Sequence, residues 1–273
     1  MNFRHPAPRR VAQSAAPATS HPVRWSRRGT ESVELVQRAP PEKIILGSDG
    51  EPLRHVAARL MARKSYRHWT PRYIFDRAQE LLYHRLYPDR PWLTKAANSM
   101  LPSLLKPTDT GIELGSGRST VWFARYVHFL TSVESNVTWY EKVRRDLGRK
   151  GIENVRYILS TGGESGVDAK ESYLAAIREA PDASFDFALV DGIFRDACAK
   201  ALPRKIRPGG VLIVDNCNWF LPSRSSAPGS RTYAQGPASP DWAEFLQVVA
   251  GWRSIWTSSG VTDTALFFKP CPV

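Results

Sequence analysis

The stretch Gly111-Ile112-Glu113-Leu114-Gly115-Ser116-Gly117-Arg118-Ser119-Thr120, with Val133-Glu134 ending fourteen residues past Thr120, decides the reading of this chain. It reads as a strand that ends in a glycine turn, then a helix, then a second strand that ends in an acid. Glycines let a backbone approach a ligand closely, and a carboxylate at the next strand tip accepts hydrogen bonds from ribose hydroxyls. The pattern is that of a site for a nucleoside-bearing ligand.

Two positions choose among such ligands. A dinucleotide fingerprint would place Gly or Ala at position 120, where the helix packs on the strand and its N-terminus faces a pyrophosphate. Thr120 stands there instead. Glu113, just ahead of the first glycine, would repel a pyrophosphate but suits a cation such as the ammonium and sulfonium of S-adenosylmethionine. On these residues the chain resembles the class I S-adenosylmethionine-dependent methyltransferases, whose first motif is an acid, one residue, then Gly-x-Gly. The resemblance implies a cofactor site made of Glu113, Gly115, Ser116, Gly117, Ser119, Glu134 and Asp191. Glu134 would take the ribose diol, the Gly115–Gly117 turn would pass beneath the methionine moiety, and Glu113 would fix that turn and the cationic end.

The rest of the chain follows the same plan. Val155–Leu159 reads as a third strand, Ser184–Gly192 as a fourth ending in an acid, and Arg207-Pro208-Gly209-Gly210 as a tight turn into the apolar run Val211–Asn216, a pattern typical of buried parallel strands. Helices are expected at roughly 119–127, 137–150, 169–180 and 193–205, an alternation that builds a doubly wound α/β sheet. Residues 253–258 and 264–268 flank a Ser259-Gly260 turn, and strands so close can only pair antiparallel. The expected fold is a mostly parallel seven-stranded sheet with a C-terminal antiparallel hairpin, covering about residues 108–270. Arg195-Asp196-Ala197-Cys198, and Trp256-Thr257-Ser258 ahead of Gly260–Thr264, also look like bacterial methyltransferases of unassigned substrate.

Composition sets the outer limits. The 273 residues, 42% hydrophobic, can bury one α/β core and an appendage. No apolar run approaches the roughly eighteen residues of a membrane span. Cys198, Cys217 and Cys271 are scattered and lack metal-ligand spacing, which suits reduced thiols in a cytoplasmic protein. The net charge of +12 is unevenly placed: residues 1–72 hold fourteen of the 38 Lys and Arg but only five of the 26 Asp and Glu. The remaining chain is close to neutral, which makes nucleic acid an unfavoured partner, because a grip on a polyanion needs basic surface around the site itself. A small-molecule or glycan acceptor is the expectation, and the alternatives are an RNA or other nucleic-acid methyltransferase or a non-catalytic cofactor-binding scaffold.

Residues 1–50, rich in Pro, Ala, Ser and Arg, read as a disordered basic tail; the same composition suits an organellar import signal. Residues 51–107 read as an N-terminal helical segment. Arg54–His68 is a basic stretch with sparse apolar positions. Thr70-Pro71 is a helix start, followed by Ile74, Phe75, Ala78, Leu81, Leu82 and Leu86 at helical spacing, and a second helix is expected over Leu93–Leu105. In the resembled fold such helices lean over the cofactor cleft.

Glu113, Glu134, Asp191, Asp215 and Asn216 all fall at carboxyl ends of strands, where open α/β sheets bind ligands. Asp191 is the expected catalytic residue. Asp191, Asp215 and Asn216 also resemble the metal triad of the magnesium-dependent catechol and caffeoyl-CoA O-methyltransferases, which implies a possible Mg²⁺. Those families place a lysine three residues after the first aspartate, whereas this chain has Phe194 there and Arg195 next. Either a metal orients the acceptor, or Asp191 works alone. The Pro-, Ser- and Gly-rich insertion 220–240, with Arg224 and Arg231, is expected to be a mobile lid over the site, the alternative being a disordered insertion.

Overall fold

The computed structural model describes residues 69–162 and 166–272; the expectations for residues 1–50 and for Arg54–His68 lie outside them. The described chain runs α1 (Pro71–Leu86), α2 (Lys95–Leu104), β1 (Thr110–Leu114), α3 (Arg118–Phe123), β2 (Phe129–Glu134), α4 (Val137–Arg149), β3 (Val155–Leu159), α5 (Gly166–Glu179), β4 (Phe185–Val190), α6 (Arg195–Lys205), β5 (Ile206–Asp215), α7 (Pro240–Val249), β6 (Arg253–Ser258) and β7 (Asp263–Phe268). Seven strands form one sheet in the order β3-β2-β1-β4-β5-β7-β6. β7 is antiparallel to both its neighbours and the other pairs are parallel. This is the expected mostly parallel sheet with a terminal hairpin.

The central strands are buried on both faces, so alternate side chains feed two cores. Ile112, Leu114, Ala188, Val190, Leu212 and Val214 pack with α5, α6 and α7 through residues such as Tyr173, Leu202 and Phe245. Phe187, Leu189, Val211 and Ile213 face the other way, onto Leu101 of α2 and Trp122 and Phe123 of α3. Gly111 sits opposite the Phe187 ring, where an added Cβ would lie 2.0 Å from a ring carbon. The in-register pairs Leu114↔Val133, Leu114↔Val190 and Val190↔Val214 bring the tips of β1, β2, β4 and β5 to one edge. Antiparallel pairing of Asp215 with Thr264 puts the β6–β7 turn on that edge too.

Four expectations need correction. α3 ends at Phe123 rather than near Val127, because Asn154 Nδ2 donates to the carbonyls of Ala124, Val127 and His128 and pulls the chain out of the helix. The Arg207–Gly210 turn is a bulge inside β5: Phe185 pairs with Ile206 and Phe187 already with Val211, with Gly209 at φ +80°. α1 starts as expected, with Thr70 Oγ1 accepting from Tyr73 N. Its apolar stripe, however, faces outward: Ile74, Phe75, Leu81, Leu82 and Leu86 are each at least half exposed, and it is His84 that is buried. The face turned to the domain is polar, since Glu80 Oε1 accepts from Ser259 Oγ in the β6–β7 turn. Finally, the 220–240 insertion is built rather than disordered. Arg231 donates to the carbonyls of Gly236, Gln235 and Pro237, Asn218 Nδ2 donates to Pro228 O and Ser230 Oγ, and residues 233–235 form a 3₁₀ turn.

Gly111→Ala is expected to destabilise the protein by about 1–3 kcal/mol through overpacking against Phe187. Urea denaturation at neutral pH measures it, and an unchanged midpoint would show that the two cores are not closed around this point.

Candidate active site at the carboxyl edge of the sheet

The glycine loop between β1 and α3 is held from below by Glu113. This carboxylate is completely buried. Its Oε2 accepts hydrogen bonds from Thr120 Oγ1 at 2.5 Å and Ser132 Oγ at 2.7 Å, and Gly117 N donates to Thr120 Oγ1 in turn. Thr120, the residue that argues against a dinucleotide, is thus the bridge from the acid to the loop. Glu113 Oε1 is buried with no hydrogen-bond partner. Burial raises the pKa of this side chain to about 7, against the lowering effect of its hydroxyl donors.

The two loop glycines differ in what demands them. Gly115 lies at φ +97°, and a Cβ there would meet the Gly192 backbone at 2.5 Å, so the protein itself needs glycine where β1 crosses the start of the β4–α6 turn. Gly117 is extended, and the nearest atoms to an added Cβ are Ser119 Oγ at 3.7 Å and Trp139 Nε1 at 3.9 Å. Nothing in the protein fills that space. A flat cradle above a half-bonded buried carboxylate fits a ligand that lies on the backbone and carries positive charge.

Glu134 closes the other side. Its Oε1 accepts from the backbone N–H groups of Ser135 and Asn136, both at 2.8 Å, and its Oε2 from Ser116 N at 3.2 Å and Ser116 Oγ at 2.7 Å. The Ser116 hydroxyl also lies 2.7 Å from Tyr157 Oη. A ribose diol can therefore be accepted only where the Ser116 hydroxyl turns away, and Tyr157 is the partner it can turn to. Trp139 Nε1 donates to Ser116 O at 2.7 Å and leaves part of its indole exposed beside the loop. Trp139 and Tyr157 were not legible as site residues, because each belongs to an element whose own spacing signals only a helix or a strand.

At the tips of β4 and β5 the arrangement turns on Arg195. Its Nε donates to Gly192 O, Nη1 to Asp215 O and Asn216 Oδ1, and Nη2 to Asp191 O and Asp191 Oδ1, at 2.8–2.9 Å. All five donors of the guanidinium are used. Phe194 and Asn216, on either side, are both left-handed at φ 49°, and the turn at Phe194 starts α6 with Arg195 facing back into the tips. Asp215 is buried and accepts from Thr264 Oγ1 at 2.7 Å; burial, and then the adjacent Asp191, push its pKa up to about 8. Burial also raises Asp191, and Arg195 opposes that shift.

These side chains do not fit the implied magnesium triad. Asn216 Oδ1 and Asp191 Oδ1 already accept from a guanidinium, Asn216 Nδ2 donates to Thr262 Oγ1, and Asp215 is turned to Thr264. A divalent ion would need to displace a cation that five hydrogen bonds hold in place. No group of three or more His, Cys, Asp or Glu among the described residues is arranged to hold a metal. The sequence signal for this correction was Arg195 itself, four residues after Asp191 at the start of a helix.

No family model matches the chain, and no curated protein matches it. Solved structures do resemble it. A methyltransferase-like protein from Silicibacter pomeroyi is 23% identical, with 68% of this chain and 92% of that one covered at a TM-score of 0.46. A methyltransferase from Geobacter sulfurreducens is 14% identical over 80% and 96%, at 0.43. The tRNA (m1A58) methyltransferase of Aquifex aeolicus is 12% identical over 64% and 68%, at 0.40.

Arg195→Gln is expected to cost about 3–5 kcal/mol at pH 8, the scale for a buried pair stripped of one partner. The loss should shrink at pH 5. With the guanidinium gone, Asp191 and Asp215 titrate higher still, and protonation there relieves their repulsion. Chemical denaturation at both pH values tests the sign; an equal loss at both would mean the guanidinium acts as packing rather than as charge.

Proposed function

We propose that this chain is an S-adenosylmethionine-dependent methyltransferase that acts on a small-molecule acceptor by O- or N-methyl transfer. The observation that carries the reading is Glu113, a buried carboxylate left half-bonded beneath a glycine whose missing side chain no part of the protein requires. That is a site prepared for a cationic ligand on a bare backbone.

Bound there, S-adenosylmethionine supplies an electrophilic methyl group that passes to the acceptor's lone pair as the carbon–sulfur bond breaks and the sulfur leaves as a thioether. Glu134, oriented by Ser135 N and Asn136 N, would hold the ribose hydroxyls. Ser116 and Ser119 line the loop, and Trp139 stands beside it. Glu113 would balance the positive end, with Thr120 and Ser132 keeping its other oxygen in place. Asp191, fixed by Arg195 through one oxygen, would present the other at the tip of β4, where it orients the acceptor and takes up the proton that an O–H or N–H acceptor releases. Arg195 keeps Asp191 pointed and partly offsets the cost of the second carboxylate at Asp215. Rate acceleration then comes chiefly from holding nucleophile and methyl carbon in line, and the arginine-filled cluster does this without a divalent ion.

A small-molecule acceptor is supported by the near-neutral charge of the chain after residue 72 and by a cleft of about 1470 Å³ between α1 and the β6–β7 turn. No helix among the described residues is long and apolar enough to cross a membrane.

Two outcomes test the cofactor site. Glu134→Ala should weaken S-adenosylmethionine binding by about 1.5–3 kcal/mol, the scale of a hydrogen bond to a charged group; unchanged affinity in calorimetry would refute the assignment. Because Glu113 titrates near 7 and a cation favours its ionised form, binding should release a proton. Affinity should therefore rise as pH goes from 6 to 7.5. Glu113→Gln should bind with no such dependence, and a pH-independent affinity in the wild type would remove Glu113 from the cationic end.

For catalysis, Asp191→Asn should lower the methyl-transfer rate by about 10² to 10⁴ with cofactor affinity little changed, and excess chelator should leave the wild-type rate intact. Loss of activity in chelator, restored by Mg²⁺, would overturn the arginine-filled site.

A further inference from the structure

The cleft between α1 and the β6–β7 turn carries more polar structure than a mere gap between elements needs. Two of its wall residues are buried with an unpartnered atom. His84 is 6% exposed and its Nδ1 has no partner; Asn98 is fully buried, and its Oδ1 has none. Asn98 Nδ2 donates to Pro91 O and Leu93 O, at 3.0 and 3.2 Å. The amide is thus anchored, the Tyr83 side chain also interacts with it, and no donor meets its oxygen at hydrogen-bond geometry. Such an atom in a protein interior costs free energy unless something outside the fold satisfies it.

The charges around the cleft are also uneven. Its acids, Asp76 and Glu80, pair with Arg72 at 3.8 Å and Arg77 at 2.5 Å. Arg90, Lys95 and Arg224, which also line it, have no carboxylate within salt-bridge distance among the described residues. Three cations without a carboxylate partner around a pocket favour an anion, and the aromatic residues Tyr87 and Trp256 are also part of the lining.

The cleft is joined to the strand tips from both sides. The His84 ring stacks on Trp92 at 4.3 Å, and Arg118, the residue after Gly117, holds its guanidinium 5.3 Å from the same indole. On the other side Thr94 N donates to Thr264 Oγ1, which donates to Asp215 Oδ1.

We infer that this cleft binds the methyl acceptor, and that the acceptor is a small organic anion, a carboxylate or phosphate on a planar body, which also carries a hydrogen-bond donor for Asn98 Oδ1. That the ligand is the acceptor rests on the methyltransferase reading; that an organic anion binds here does not.

The test uses the full chain and calorimetric titration with 4-hydroxybenzoate, phenyl phosphate, inorganic phosphate and the neutral isostere 4-hydroxybenzamide, each with and without S-adenosylhomocysteine. 4-Hydroxybenzoate or phenyl phosphate should bind about tenfold or more tightly than the amide, and the tighter of the two identifies the anionic group. Lys95→Gln and Arg224→Gln, both away from the core, should each weaken that binding by about three- to tenfold with the melting temperature unchanged. Arg90 is a poorer probe, because it also donates to Asn98 O and lies over Trp122. Equal affinity for benzoate and amide, no binding of either anion at millimolar concentration, or indifference to both substitutions would overturn the inference. Inorganic phosphate binding as tightly as phenyl phosphate would overturn the organic ligand. Competition with S-adenosylhomocysteine would place the probe in the cofactor site and overturn the cleft assignment. Probe binding without S-adenosylhomocysteine binding would instead sink the methyltransferase reading and leave the anion site standing.

Discussion

The strand tips of this protein depend on one guanidinium. Parallel pairing of Val190 with Val214 makes Asp191 and Asp215 neighbours at the sheet edge, and two carboxylates so placed in a partly desolvated site cannot both ionise without help. Arg195 supplies part of that help, to Asp191, from within the same turn, and the pKa of Asp215 stays raised to about 8. Its side chain is 17% exposed, and that of Asp191 is 26% exposed, so the pair is screened far less than a surface ion pair. The backbone cost is visible next to it: a phenylalanine in the left-handed region, a conformation worth about 1–3 kcal/mol of strain. That strain persists because five hydrogen bonds to Arg195 hold the turn from the other side.

Glu113 poses the same problem without a cation. Thr120 and Ser132 hydroxyls bond one oxygen, the Ser119 hydroxyl adds to their lowering effect, no donor meets Oε1 at hydrogen-bond geometry, and the side chain titrates near neutrality rather than in the ordinary carboxylate range. A fold selected for stability alone would place a hydrophobic residue between Ile112 and Leu114, as it does at Leu189 on the neighbouring strand. Along this edge Asp191 is held by Arg195 through one oxygen, Glu134 is bonded through both, and Glu113 Oε1 has no hydrogen bond. Asp191 pairs with a cation of the protein itself; in the proposed function Glu113 would take one from the ligand.

How much of this was legible in the sequence follows from the physics of each signal. The strands were readable because a parallel strand buried on both faces is an unbroken apolar run, and the hairpin because a four-residue connection permits only antiparallel pairing. Thr70-Pro71 was readable because capping is local. The inward face of α1 was not. Helical periodicity shows that Ile74, Phe75, Leu81, Leu82 and Leu86 share a face, but burial depends on what stands opposite, and here the β6–β7 turn offers Ser259 and Gly260 rather than a hydrophobic surface. The end of α3 was missed for a similar reason, since the side chain that stops it, Asn154, is thirty residues away from Ala124. Asp191, Asp215 and Asn216 were correctly placed at one edge by strand order alone. Their chemistry was not fixed by that placement, because register and the reach of Arg195 decide whether three oxygens face a metal or an arginine.

The reversed face of α1 also separates binding from folding. None of the residues of α1 belongs to the three buried apolar clusters, which begin with Leu93. The helix that walls the cleft therefore contributes little hydrophobic stabilisation, and local stability follows such burial. It meets the domain through polar groups, Glu80 on Ser259 Oγ and His84 stacked on Trp92. Substitutions on α1 can thus reshape the wall of the cleft at little cost to the sheet. The edge formed by the tips of β1, β4 and β5 has no such freedom, because Gly115 N bonds Val133 O, Glu113 holds Thr120 and Ser132, and five hydrogen bonds tie Arg195 to the tips of β4 and β5. One edge of one sheet thereby carries a rigid half, set by the backbone, beside a half that the sequence can vary.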